Sequence, residues 1–372
     1  MSERVRILVA GSGPGALEAT LALSRSTHLA ADIELISPQT EFHYRPNIVM
    51  EPFGVSETAR YSVGEIIAHP NVRQWQGVID RVDHEAGKAH SPEGDEFVFD
   101  AMVIATGTTP RAPLPEPAIT LGLPGSIEEV TAVIGEVDRG ELRTVFFAVP
   151  EGPTHRLPLY ELALMTADRA ERQSGQQVEV ALATPEPSPL SVYGDDHSAH
   201  VADFCRRLGV HVHANATVSH YDGHAVTLDD STTYPAERLI SMPRLEPRAP
   251  QGVPTDEGGF IPVDELQRVK GTENLFAVGD VTDARVKQGG LATQEADAAC
   301  QAIEAALGTR EAAVGMNGEI EALLLTTTER VPLKARLTES GSVSLETAQP
   351  EGPVQKIYSR LLAERLREIP KL

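Results

Sequence analysis

Residues 5–38 read VRILVAGSGPGALEATLALSRSTHLAADIELISP, and this stretch decides the fold. The apolar run Val5–Ala10 predicts a strand, the segment from about Pro14 a helix, and Ile33–Ile36 a second strand. Together they make one βαβ unit. Gly11, Gly13 and Ala16 fill the three positions of G-x-G-x-x-G/A between the first strand and the helix, the context in which that pattern signals dinucleotide binding. Gly11 suits the tight turn, Gly13 lets backbone approach a pyrophosphate, and Ala16 lets helix and strand pack closely. Gly15 adds room, and Pro14 suits a first helical turn. Free N–H groups and the helix dipole at that end favour bound phosphate. The second strand of such a unit normally ends in an acid that holds the adenosine ribose. Here the position is Ser37, followed by Pro38, and a serine can still hydrogen-bond the ribose.

Further along, His43, Tyr44 and Arg45 precede Pro46 in a polar, aromatic loop that suits a cofactor wall or an ordinary surface loop. Residues 72–104 predict a small meander: strands at Val72–Trp75, Gly77–Val82 and Glu96–Phe99, with a turn at Glu85–Lys88. The buried-type strand Ala101–Ala105 then runs into Ala105-Thr106-Gly107. The proline-rich segment Pro110–Pro124 reads as a linker. A second βαβ unit starts at Thr144–Val149, but its turn is PEGPTH. On the glycine pattern its positions are Pro150, Gly152 and His155, so one of three survives. Pro150 and Pro153 lack N–H donors, and Glu151 puts negative charge where a pyrophosphate would lie. Val178–Ala183 ends in Pro185-Glu186-Pro187, with no Arg or Lys for a 2′-phosphate. His211, His213, His220 and His224 cluster among short strands. Without a carboxylate or cysteine to complete a set, they read as solvent-facing histidines on an edge hairpin rather than a metal site. After Pro243–Pro254 comes the strand Asn274–Val278, then Gly279-Asp280, then Lys287-Gln288-Gly289-Gly290 before a helix over 291–307.

The chain has 372 residues, enough for two or three domains with real cores. Lys+Arg 32 against Asp+Glu 54 gives a net charge of −22, which argues against nucleic acid and against general adhesion to anionic membranes. Only two cysteines occur, Cys205 and Cys300, too few for a disulfide framework or a zinc site and suited to a reducing compartment. The expected address is cytoplasmic.

Gly11-Ser-Gly-Pro-Gly-Ala16, Ala105-Thr-Gly107 and Gly279-Asp280, in this order, resemble the two-dinucleotide-domain flavoproteins: pyridine nucleotide–disulfide reductases, type II NADH dehydrogenases and sulfide:quinone oxidoreductases. The resemblance spans roughly residues 1–310 and implies an α/β architecture of two Rossmann-like domains. Residues 1–112 with 243–313 would bind FAD, 113–242 would form a degenerate second domain, and 314–372 a C-terminal cap. It implies FAD on Gly11, Gly13, Gly15 and Ala16, walls at Ser37, Pro38 and Arg45, and further contacts at Ala105, Thr106 and Gly107. It places Gly279 and Asp280 at the ribityl chain, and Lys287, Gln288 and Gly289 at the flavin pyrimidine edge. The Arg45-Pro46 loop and the degenerate second turn look most like the sulfide:quinone oxidoreductase branch. Its cysteines are missing, and without a thiolate there is no usual route to a bound polysulfide.

Glu161 falls where this group places a glutamate near the flavin, to exchange protons with it; the other reading is a helix-surface carboxylate. Lys287 would stabilise negative charge on reduced flavin. The expected function is an FAD-dependent oxidoreductase passing electrons from a small-molecule donor to a quinone-like acceptor without a redox disulfide. Two alternatives stay open: an NAD(P)H-dependent diaphorase, and a non-catalytic flavin-binding or regulatory module. The last segment, Pro353–Ile369, is amphipathic, with Val354, Ile357, Tyr358, Leu361, Leu362 and Leu366 at helical spacing. It suits packing on its own domain, pairing in a homodimer, or peripheral membrane contact. Lacking Trp and Phe in an acidic chain, it reads first as a packing helix.

Overall fold

A computed structural model describes residues 4–173, 178–308, 310–326, 329–338, 341–347 and 359–372. Strand β1 (Val5–Ala10), helix α1 (Pro14–Ser24) and strand β2 (Ala31–Ser37) form the expected unit, with β1 and β2 paired in parallel. Around β1 grows a five-stranded sheet ordered 275–277, 101–104, β1, β2, 72–76, every pair parallel. Its central strands read as continuous apolar runs because helices and loops cover both faces: Ile7, Leu8, Val9 and Ala10 are each 1% exposed or less. From β1 the chain steps to one side through β2, then to the other through 101–104. The switch point therefore falls between the ends of β1 and 101–104, where such sheets bind ligands.

A second parallel sheet is ordered 119–120, 238–241, 144–148, 179–184, 210–214. Two short antiparallel strands, Thr108–Arg111 and Arg244–Pro247, join the chain segments that run between the two sheets. Helix α2 (Val63–Ile66) is a single turn. Helices α3 (Ser126–Asp138), α4 (Leu157–Gln173) and α5 (Asp195–Arg207) serve the second sheet, and α6 (Gly289–Ala306) lies along α1 beside the first. A three-stranded antiparallel sheet, Glu319–Leu325, Arg330–Thr338 and Gly341–Ser344, follows.

Three expectations are corrected. Val72–Gln76 belongs to the first parallel sheet, not to the meander; its residues are mostly exposed because it is an edge strand. The meander is Arg81–Asp83, Lys88–His90 and Glu96–Val98, so 77–80 is not strand. Val210–Ala214 likewise joins the second parallel sheet rather than a hairpin, and His213 on it is half-buried. Its ring lies 5.9 Å from that of Phe146 and 4.3 Å from that of Tyr234, so aromatic stacking holds it.

Helix α7 (Leu362–Glu368) docks on α1 and α2; the expected helical residues before 359 lie outside the described ones. Leu362 and Leu366 enter the core shared with Leu17, Leu21, Val63 and Ile66. Each such burial contributes roughly 1.5–3 kcal/mol. The buried carboxylate of Glu18, on α1, accepts the N–H groups of Leu361 (2.8 Å) and Leu362 (2.7 Å), and so caps a helix far away in sequence. Arg360 pairs with Asp297 at 2.8 Å. The apolar stripe of α7 thus faces its own domain. Among the described residues, no helix is long and apolar enough to cross a membrane.

Candidate functional site

The switch-point crevice starts at the glycine turn. Gly11 has φ +125°, and a Cβ there would stand 2.2 Å from the carbonyl oxygen of Ala105. Two hydrogen bonds of 2.8 Å, Gly11 N–H to Ile36 O and Ala105 N–H to Ala10 O, pin this approach. Only glycine fits. At Gly13, the N-cap of α1, a Cβ would meet nothing within 4 Å. Gly15 serves differently from expectation. A Cβ there would lie 2.9 Å from Val278 Cγ2 and 3.1 Å from Ala292 O, so its missing side chain lets α1 cross α6, rather than making room for a ligand. Ala16 is wholly buried.

Ser37 is fully buried, and its hydroxyl donates to Ser12 Oγ at 2.6 Å, with Gln39 Oε1 at 3.1 Å. The residue expected at the ribose is engaged inside the protein; Pro38 and Gln39 are the exposed groups beside it. Thr106 Oγ1 donates to Arg248 O (2.7 Å), and Arg248 N–H returns to Gly107 O (3.1 Å), tying Arg248 to the Ala105-Thr106-Gly107 turn. Arg45 begins a 3-10 helix, Arg45–Phe53, and is exposed.

On the other side, Gly279 (φ +77°) starts a short turn carrying Asp280. Asp280 keeps some accessible surface, and among the described residues its carboxylate has no hydrogen bond. Burial raises its pKa, against the pull of Lys287 and Arg45. Lys287 is 2% exposed: its Nζ donates to Thr282 O at 2.7 Å and lies 4.5 Å from the Phe260 ring centre. Burial lowers its pKa, while Asp280 and Glu295 oppose the shift. It is neither a solvated lysine nor an outward-pointing one, but a counter-charge beneath the Asp280 turn. Gln288 caps α6, and its Nε2 donates to Glu321 O at 2.6 Å; Gly289 is the first residue of α6. Beneath them Glu295, fully enclosed, accepts Gly279 N–H at 2.5 Å. Burial pushes its pKa up to about 8, so at neutral pH it is mainly the neutral acid.

Glu161 is also fully buried, on α4, and not at the helix surface: its Oε1 accepts Leu325 N–H at 2.8 Å, tying α4 to the C-terminal sheet. In the second fold, the loop after 144–148 bridges to the first domain through Thr154 and Val286. Glu186 stands just past 179–184, where a dinucleotide fold places its ribose-binding acid. It is 2% exposed. Its Oε2 accepts Tyr160 Oη and Thr184 Oγ1, each at 3.0 Å, and Arg156 lies 3.6 Å from its Oε1. Burial raises the pKa of both Glu186 and Tyr160. Cys205 and Cys300 are buried, the first pushed up to about 12 and the second also well up, so neither supplies a thiolate.

Arg248, Glu295 and Glu186 escaped the sequence reading. Glu186 was legible as an acid at a strand end. Glu295 was legible as a lone acid on the helix stripe that carries Leu291, Ala299 and Ala302. Nothing in the sequence marked Arg248.

Residues 161–300 match the family model described as pyridine nucleotide-disulphide oxidoreductase. Over those residues, less than half of its length, the chain is similar to that oxidoreductase family. Over 317 residues it is 25% identical to the type II NADH:quinone oxidoreductase NdhA of Mycobacterium tuberculosis, a match covering 75% of this chain and 66% of that relative. The chain thus spans just under two thirds of that relative's length. Its fold is similar to the sulfide:quinone oxidoreductase of Aquifex aeolicus, with a TM-score of 0.76 at 18% identity over 86% of this chain and 81% of that one. The Plasmodium falciparum NDH2 structure in complex with NADH gives 0.58 at 17% identity, over 77% and 66% of the two chains. The matches agree with the two-Rossmann architecture expected from the glycine turns.

Proposed function

We propose that this chain is an FAD-dependent oxidoreductase that passes two electrons from a small-molecule donor other than NAD(P)H to a quinone-like acceptor. FAD would lie in the first fold, built from 1–112 and 243–313, with 113–242 as the second domain and 314–372 as the cap. The observation that carries the reading is an asymmetry. The first fold has glycines at both turn positions, Gly11 and Gly13, and an unengaged carboxylate at Asp280, while the second has Pro150 and Pro153 in its turn and an acid, Glu186, consumed by Tyr160, Thr184 and Arg156.

Bound FAD would supply the two-electron redox centre. The N–H groups at the start of α1 would hold its pyrophosphate, and Asp280 its ribityl hydroxyls. Lys287 would balance the charge of Asp280. Glu161 would fix the C-terminal sheet over α4 and α6, keeping water from the reacting ring. The donor loses two electrons, and the quinone gains two electrons and two protons to become a quinol. No cysteine takes part. FAD-loaded protein assayed with soluble quinone and a panel of non-nicotinamide reductants should turn over with at least one. A panel that never turns over counts against the reading.

A second reading, NADH as donor, is favoured by the type II NADH:quinone oxidoreductase relative. It requires Glu186 to leave its three partners.

A further inference from the structure

Among the described residues, the guanidinium of Arg248 has no hydrogen bond or ion pair, although its backbone is fastened at both ends to the Thr106-Gly107 turn. Its Nη2 lies 3.8 Å from where a Cβ on Gly107 would stand. Burial lowers its pKa, and the charge of Arg45 adds to the effect. Arg45 in turn acts on Asp280 across the crevice. The charges of Arg45 and Arg248 therefore oppose one another, in a chain of net charge −22. Asp100 pairs with Arg6, Asp32 with Arg4, and Asp297 with Arg360. A guanidinium with no carboxylate hydrogen-bonded to it, beside a second positive charge, suits an anion.

We propose that Arg248, with Arg45, closes on the diphosphate of the bound dinucleotide from the side opposite α1. The inference rests on the flavin reading above. The α1 N-terminus offers about half a unit of positive charge, against the two negative charges of a diphosphate. Two guanidinium groups supply the balance with fork geometry. The position follows from the chain: Gly11 touches Ala105, and Arg248 is tied to the next two residues. Arg248 is thus a binding residue for the diphosphate.

The test is titration of flavin-free protein with FAD, followed by flavin fluorescence at two salt concentrations, for the parent chain, Arg248→Ala and Arg248→Gln, with riboflavin as a diphosphate-free probe. Both variants should bind FAD roughly 10- to 100-fold more weakly, with a smaller salt dependence, unchanged riboflavin affinity and an unchanged melting curve. The Gln variant decides should the Ala variant fail to fold. FAD affinity equal to the parent's overturns the clamp while leaving the flavin reading standing, and so does an equal loss for riboflavin. A parent chain that takes up no FAD overturns both.

Discussion

The two nucleotide folds of this chain share a layout and differ in what fills the turn after their first strand. In the first, Gly11 bends at φ +125° against Ala105 O, and Gly13 leaves open space at a helix start. In the second, Pro150 and Pro153 remove N–H donors, and the acid expected at a ribose is buried under Tyr160 and Thr184. A sheet and its crossover helix persist on packing alone. A phosphate site does not, because it depends on a few backbone groups left unpaired.

The largest effect belongs to Gly11→Val, which places carbons against Ala105 O. We expect about 3 kcal/mol or more of destabilisation, and no FAD uptake by whatever protein folds. Normal FAD binding by this variant would break the comparison at its stronger end.

Next comes Glu295, whose folded-state pKa of about 8 stands above its ordinary 4.5. Below pH 4.5 both states hold the proton and nothing is lost. As pH rises from there the unfolded chain ionises first, so this group's contribution falls until the pH passes the folded value. Denaturant curves from pH 5 to 8 should show the parent losing stability relative to Glu295→Gln, in which an amide oxygen still accepts Gly279 N–H. Parallel pH profiles would contradict the assignment.

Glu186→Ala strips partners from the buried Tyr160 hydroxyl and should cost about 1–3 kcal/mol. FAD affinity should be unchanged, and calorimetry should detect no NADH binding. The smallest effect is expected from Gly152→Ala. With φ +98° and open space around it, the change costs about 1–2 kcal/mol of backbone strain and leaves flavin affinity alone.

The first fold was legible because its reasons are local: an apolar strand, a glycine turn and a helix start lie within 34 residues. The missing donors of the second turn were legible for the same reason, since proline removes an N–H wherever it sits. Long-range partners set what was not. Val72–Gln76 reads as a meander strand until β2 is known to be its neighbour. Gly15 reads as room for a ligand until α6 crosses it. Lys287 and Glu161 read as surface or site groups until Phe260, Thr282 and Leu325 are found around them. Arg248 lies 141 residues from Gly107 in the chain (248 − 107) and comes to the crevice only through tertiary structure.

The most direct measurement mixes FAD-loaded protein anaerobically with excess NADH and follows the yellow flavin band. The account predicts a band that persists through NADH addition and bleaches with a competent non-nicotinamide donor. Rapid bleaching by NADH would contradict it.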